Sequence, residues 1–225
     1  MAQVSVATPA GSVRGRSMEG LIAAWYARAT RADAADFQRT ADMIAARMPA
    51  SAHILEVAPG PGYLAIALAR HGDCAVEAVD ISRSFVRIAA RTAERAGVAV
   101  SFRHGDVHAL PFAAEQFDVV VCRAAFKNFA RPVEALCEMR RVLRPGGSAL
   151  IIDLRADATD AEIDDCVAAR GQGWLTSMVI RRTLKGMLRR RAYVADQFRG
   201  MAEAAGFGRC EIIRDSIGFA AWLGR

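Results

Sequence analysis

Apolar and polar positions along the chain alternate between two rhythms. Stretches with a period near 3.6 residues predict helices, and short apolar runs closed by Gly, Pro or Asp predict strands. Helical spacing marks residues 18–29, carrying Trp25 and Tyr26, and residues 33–48, where Phe37, Ala41, Ile44 and Met48 share a face and Pro49 ends the run. An apolar, β-favouring run then opens at His53 and reaches Val57. It turns through Pro59, Gly60, Pro61 and Gly62 into a helical pattern over 63–70, with Leu64, Ile66, Ala67 and Leu68. Residues 74–80 alternate as a second strand that ends on Asp80. Ser82 is placed to cap a helix reaching residue 96, with Phe85, Ile88, Ala89 and Thr92 on one face and Gly97 closing it. Residues 98–103 and 117–122 read as strands, and residues 132–143 as a helix with Pro132 in its first turn. Arg144-Pro145-Gly146-Gly147 breaks that helix before a buried strand over 148–154. Helical patterns over 160–169, 174–191 and 193–205 and strands over 209–214 and 217–223 complete the chain. Strands alternating with helices predict the α/β class.

The sharp turn after Val57 is the stretch around which the rest is organised. Strand, glycine turn and helix form the usual cradle for a nucleotide-like ligand, because glycine admits close approach and the helix offers free N–H groups. Gly60-Pro61-Gly62-Tyr63-Leu64-Ala65 fits the G-x-G-x-x-A dinucleotide pattern. Glu56, at the end of the first strand, favours a cationic ligand group over a pyrophosphate. Asp80 lies at the spacing where a carboxylate grips a pair of ribose hydroxyls, which either kind of nucleotide would require.

Composition narrows this picture only a little. The 225 residues suffice for one α/β domain, and a hydrophobic fraction of 53% excludes a disordered chain. A formal net charge of +6 permits an acidic partner without requiring one. Five cysteines, with no C-x-x-C pair, suggest neither a zinc site nor a disulfide framework. No metal is expected. Residues 1–16 read as a loose tail lacking the apolar core of a signal peptide, and no run is long enough to span a bilayer, so a cytoplasmic protein is expected.

Glu56-Val57-Ala58-Pro59-Gly60-Pro61-Gly62 resembles the first motif of class I S-adenosyl-L-methionine (SAM)-dependent methyltransferases. It departs in one place: Ala58 stands where the first glycine usually is, and a positive φ is not expected there. Gly105-Asp106, the loop ending Leu110-Pro111-Phe112, the strand from Phe117 and Leu143-Arg144-Pro145-Gly146-Gly147 resemble the family's further motifs in order. The resemblance runs from about Ile54 to Leu154. It implies a Rossmann-like seven-stranded sheet, the last strand antiparallel, with helices on both faces. One domain would span residues 1–225. It would comprise a tail and helical cap (1–50), a SAM-binding core (53–154), a substrate-side helical insertion (155–191) and a final helix with a strand pair (192–225).

The same resemblance implies roles for residues. Glu56, Ala58, Gly60 and Gly62 would hold the amino-acid part of SAM, and Asp80 its ribose, with Ile81 beside the adenine. Asp106 and Val107 would recognise the adenine, and Cys122 would lie where the methionine part meets the substrate. His108 reads as an exposed loop residue. Lys127 and Asn128 stand where many relatives carry histidines, so no histidine base is carried over. The candidates near the acceptor are Tyr26, Arg123, Lys127 and Asn128, and Trp25, Tyr26, Trp174 and Met178 are candidate substrate contacts. The implied reaction is in-line methyl transfer to a small-molecule acceptor, aromatic, quinone-like or a lipid intermediate. Arg181, Arg182, Lys185, Arg189, Arg190 and Arg191 make the 174–191 helix basic. This suggests a second possibility, an RNA or lipid-surface acceptor. An NAD-dependent oxidoreductase and a SAM-binding regulator without catalysis are the further alternatives. Oligomeric state is not legible.

Overall fold

A computed structural model describes residues 18–169 and 173–225. The tail read over residues 1–16 lies outside them. The strands are β1 (Ala52–Val57), β2 (Cys74–Asp80), β3 (Ser101–His104), β4 (Phe117–Arg123), β5 (Leu143–Leu154), β6 (Arg209–Asp215) and β7 (Gly218–Gly224). They form one sheet in the order β3-β2-β1-β4-β5-β7-β6. The first five are parallel, and β7 runs antiparallel to both neighbours. The helices are α1 (Gly20–Thr30), α2 (Ala34–Ala45), α3 (Tyr63–Arg70), α4 (Arg83–Ala96), α5 (Pro132–Val142), α6 (Asp160–Ala168), α7 (Trp174–Arg191) and α8 (Ala195–Ala204). The expected seven-stranded architecture is the observed one.

Alternation along the central strands divides the core into two layers. Leu55, Val57, Val120, Cys122 and Ile151 face one way, into a core with Leu136, Met139 and Phe198 of α5 and α8. Ile54, Val119, Val121 and Leu150 face the other, against Ile44, Leu64 and Leu68 of α2 and α3. Trp222 of β7 joins this second layer, with the Arg47 guanidinium 4.9 Å above its ring. A satellite cluster of Ile163, Val167, Leu188 and Ile217 holds α6 and α7 together.

Several boundaries differ from expectation: α2 ends at Ala45, short of the expected residue 48, and β3 and β5 differ as well. β3 is confined to four residues, and the remainder of the expected strand is irregular. β5 begins at Leu143 and carries Gly146 at φ +80° within it, so Arg144–Gly147 ends the helix without ending the strand. The pairing absorbs the irregularity as a register shift between Phe117 and Val119.

The order β2-β1-β4 reverses the direction of chain winding beside β1. A crevice at the carboxyl ends of the strands follows from that reversal. Phe126, just past β4, roofs one end of the first layer and meets the rings of Phe129, Tyr193 and Phe198 at 5.6, 5.8 and 5.2 Å. It is fully buried, so Phe126→Ala should cost about 3–5 kcal/mol. Chemical denaturation would measure this, and a loss under 1 kcal/mol would mean that the cluster does not tie the β4 edge to α8.

Candidate active site at the carboxyl edge of the sheet

The turn after β1 is built from left-handed residues. Ala58, Gly60 and Gly62 have φ of +55°, +55° and +82°. A Cβ on Gly62 would meet the Ala89 Cβ and the Phe102 ring at 2.9 Å, so only glycine fits there. Ala58 corrects the expectation from sequence. It takes the glycine-like conformation despite its Cβ, held by its N–H donating to the Val79 carbonyl at 2.8 Å. The turn's close approach to β2 outweighs the local cost, which is about 1 kcal/mol.

Two carboxylates end β1 and β2. Glu56 is buried, and its Oε2 meets no hydrogen-bond partner among the described residues. Burial pushes its pKa up to about 8, with Asp80 adding to the rise. A backbone N–H from Ala65 and the charge of Arg123 pull the other way. Asp80 accepts from Gly60 N at 3.0 Å and from Ser82 N at 2.8 Å. Its pKa is pushed up to about 6, mainly by burial, against the pull of those N–H groups. Each oxygen keeps further acceptor capacity.

Gly105 follows β3, and its N–H donates to the Asp80 carbonyl at 3.0 Å. Asp106 comes next, with Val107 buried behind it. His108 is not the exposed residue expected. Its side chain is 2% exposed and its Nδ1 lies 2.7 Å from Asp106 Oδ1. Loop 105–112 folds back onto the core through Leu110 and Phe112, and this buries the ring. Ile81 is half-buried between the Asp80 and Ser82 anchors.

α1 lies across this edge. Glu19 accepts from Arg83 N and Ser84 N at 3.0 and 3.1 Å, supplying partners to the free N–H groups that open α4. Gly20 N donates to Ser84 Oγ, Ser82 Oγ donates to the Met18 carbonyl, and Tyr63 Oη donates to the Ala27 carbonyl. Tyr26 thereby comes over Gly60, with its ring 5.8 Å from that of Phe85. Burial raises its phenol pKa, and the charge of Arg123 lowers it in part. Trp25 points outward, 69% exposed. The sequence pattern did not mark Glu19, because a lone acid before a helix has no signature of the helix it will cap 64 residues later.

The β4 and β5 ends are filled by paired charges. Lys127 Nζ lies 2.8 Å from Asp153 Oδ1, with both residues buried. Asp153 also accepts from the backbone N–H groups of Lys127 and Leu154. Lys127 donates as well to the carbonyl of Ala124, whose φ is +59°. Arg123 pairs with Asp36 and stacks 4.5 Å over the Phe37 ring. Asn128 accepts from Arg191 at 3.0 Å. Burial drives the Cys122 thiol far above its ordinary range, so it is inert at neutral pH. Of the four candidates near the acceptor, the structure brings Tyr26 and Arg123 to one rim, while Lys127 is locked in its ion pair.

The basic helix is partly neutralised. Arg181 pairs with Asp164 at 2.7 Å and Lys185 with Asp160 at 2.8 Å, both acids being on α6. Trp174 and Met178 stand exposed on the first turns of α7, away from the Arg191 end that reaches Asn128.

Residues 55–151 match the family described as "Methyltransferase domain". This segment, somewhat under half of the chain, is similar to that family. The segment begins at the β1 residue before Glu56 and runs to the middle of β5, so it contains both carboxylates, Asp106 and the glycine turn. The chain is 37% identical over 117 residues to a demethylmenaquinone methyltransferase of Thermus thermophilus, an alignment covering 52% of each chain. It spans about half the length, or less, of the curated relatives it matches. Among solved structures it resembles a Methanococcus maripaludis protein studied as a SAM-dependent methyltransferase candidate, with TM-score 0.73, 20% identity and 94% and 95% of the two chains covered. It also resembles the [4+2]-cyclase SpnF, with TM-score 0.61, 25% identity and 80% and 61% covered. The fold is thus shared by proteins named for different chemistries, and function has to be argued from the site.

Two outcomes follow from this geometry. Ala58→Gly should raise stability by about 1 kcal/mol in chemical denaturation, since glycine takes φ +55° without a steric cost. No gain would mean that the alanine is not strained. The second outcome concerns pH. Glu56 holds its proton more tightly folded, at about 8, than at its ordinary 4.5. Folding therefore takes up a proton between these values, and stability falls as pH rises through that window. Glu56→Gln removes the fall. Its unfolding free energy should match wild type near pH 4.5 and exceed it by on the order of 3 kcal/mol at pH 8.5. A difference independent of pH would rule out the buried, proton-holding carboxyl.

Proposed function

We propose that this protein binds SAM across the carboxyl ends of β1, β2 and β4 and transfers its methyl group to a small apolar acceptor. The observation that carries this reading is the buried Glu56 carboxyl, with one oxygen unpartnered, at the end of β1. A ligand cation there satisfies the orphan oxygen and draws the carboxyl to its ionised form. An ammonium fits this site, whereas a pyrophosphate would face an acid. The residues present therefore suit SAM and not NAD.

Glu56 and the Gly60–Gly62 backbone hold the amino-acid end of the ligand. Asp80 accepts from the ribose hydroxyls with its spare lone pairs, while Gly60 and Ser82 keep it in place. Ile81 lies beside the adenine, and Asp106 with Val107 reads its edge. SAM supplies an activated sulfonium methyl. What remains for the chain is to align the acceptor and exclude water, and that positioning supplies several kcal/mol. Tyr26, over Gly60, shields the methyl-bearing end, and Arg123 orients the rim.

No side chain at the β4 and β5 ends stands ready as a strong base: Lys127 is paired and Cys122 is held as a thiol. The acceptor then brings its own nucleophile. An acidic ring hydroxyl, or the ring carbon beside it, meets this requirement. The relative from Thermus thermophilus, named for demethylmenaquinone, supports a quinone-like acceptor. Trp174 and Met178 on α7 remain candidate contacts for its apolar part. The pairing of α7 with α6 weighs against an RNA acceptor, because two of its six basic side chains already meet acids.

Calorimetric titration with SAM, S-adenosylhomocysteine and NAD tests the reading. Both S-adenosyl compounds should bind and NAD should not, and Asp80→Ala should weaken the S-adenosyl compounds by roughly tenfold or more. NAD binding without response to either S-adenosyl compound would overturn it.

A further inference from the structure

α1 is packed inside out. Its small residues Ala23 and Ala27 are buried, while its large apolar side chains point to water. Leu21 is 89% exposed, and Ile22 and Trp25 are exposed with it, as is Met18 just before the helix. Among the described residues these four are half of the eight large apolar side chains left exposed. Leu21 and Trp25 stand one turn apart, so they form one patch and not scattered exposures. Folding gains nothing from apolar side chains left in water, so stability does not account for them.

The patch has a basic border. Arg28 and Arg31 follow along the same segment, and Arg83, Arg87 and Arg91 lie on α4, which packs beside α1; all five are exposed. Residues 18–33 and 83–96 together hold six arginines, counting Arg95, against three acids, Glu19, Asp33 and Glu94. Glu19 is turned to the Arg83 and Ser84 N–H groups. Between the two helices an open groove of about 210 Å³ is lined by Gly20, Ala24, Ser84, Arg87, Ile88 and Arg91. Arg87 Nη2 donates to Ser84 Oγ at 3.2 Å, which holds it at the groove. Two guanidiniums one turn apart beside a serine suit a phosphate group.

We propose that this face docks the protein on an anionic lipid bilayer, with Leu21, Ile22 and Trp25 entering the headgroup–acyl boundary and Arg87 and Arg91 taking lipid phosphates. A protein partner would cover the apolar patch without calling for a basic border, whereas anionic headgroups above hydrocarbon answer both features. Tryptophan is suited to such a boundary. No helix among the described residues is long and apolar enough to cross a membrane, so α1 lies on the surface. On its inner side α1 carries Tyr26 over Gly60, so docking sets the candidate site beside the bilayer. The docking itself does not depend on the cofactor reading.

Flotation of the full chain with vesicles tests this. Wild type should bind vesicles containing phosphatidylglycerol at least about tenfold more tightly than vesicles of phosphatidylcholine alone, and the difference should shrink as salt is raised. Leu21→Ser with Trp25→Ser should weaken the binding by roughly tenfold or more, as should Arg87→Glu with Arg91→Glu. Trp174→Ser with Met178→Ser, at the exposed start of α7, should retain it. Thermal unfolding checks that each variant is folded. A further arm leaves α1 and α4 intact. Of the three tryptophans, Trp222 is buried, so Trp174→Phe leaves Trp25 as the exposed indole. Its emission should be quenched by lipids brominated in their acyl chains. Failure of wild type to bind, equal binding to both kinds of vesicle, undiminished binding in the α1 or the α4 variant, or absence of quenching would overturn the proposal. So would a dimer, in place of vesicle binding, that Leu21→Ser with Trp25→Ser dissociates, since the face would then belong to a second copy. Each of these outcomes leaves the cofactor reading standing.

Discussion

The hydrogen bond from Gly60 N–H to the Asp80 carboxylate joins the two halves of the crevice, and much of the site depends on it. It pulls the β1 turn against the end of β2 and obliges Ala58 into a left-handed conformation beside Val79. It also withdraws Asp80 from water, leaving a carboxyl whose ionised form is paid for by backbone N–H groups and not by a counter-charge. Glu56, one strand over, shares the dry environment with less compensation. Two acids pushed upward by burial in one crevice are the electrostatic signature of a site awaiting a cation and hydrogen-bond donors.

The neighbouring edge follows the opposite logic. Lys127 and Asp153 are just as buried, but each has its charge met, and the pair accepts or donates to three backbone groups around it. Such a pair adds little net stability, since desolvation offsets the attraction, but it holds the Ala124 backbone in its positive-φ state. The β1–β2 end of the crevice therefore keeps an unpartnered carboxylate oxygen among the described residues, and the β4–β5 end is closed by paired charges. In the proposed methyl transfer, alignment of a nucleophile with an activated methyl group would benefit from that rigidity.

The segments outside the shared core attach to it through few, specific contacts. α1 is held by Glu19, Gly20 and Met18 on the α4 start and by Tyr63 on its own carbonyl, with Leu21 and Trp25 turned to solvent. α6 and α7 rest on a small cluster and on ion pairs with each other. Elements secured this way open at lower free energy than the central strands, which would suit the admission of ligands under the proposed function.

The periodic pattern of the sequence by itself determined most elements, because burial on one or both faces leaves a local trace. α3, α7 and β2 have the expected limits, and Ser82 and Gly97 cap α4 as read. That Glu56 and Asp80 lie at the ends of β1 and β2 was legible because strand ends and glycine turns fix them within a few residues. The tertiary structure alone decided what depends on distant neighbours. Ala58 takes a positive φ because Val79 holds its N–H, and His108 is buried because its loop folds under Phe129. Lys127 is a structural cation because Asp153 lies 26 residues on, and the α7 charges find α6. A chain's local pattern records which face is dry. Which charge meets which is set by the packing of segments remote in sequence.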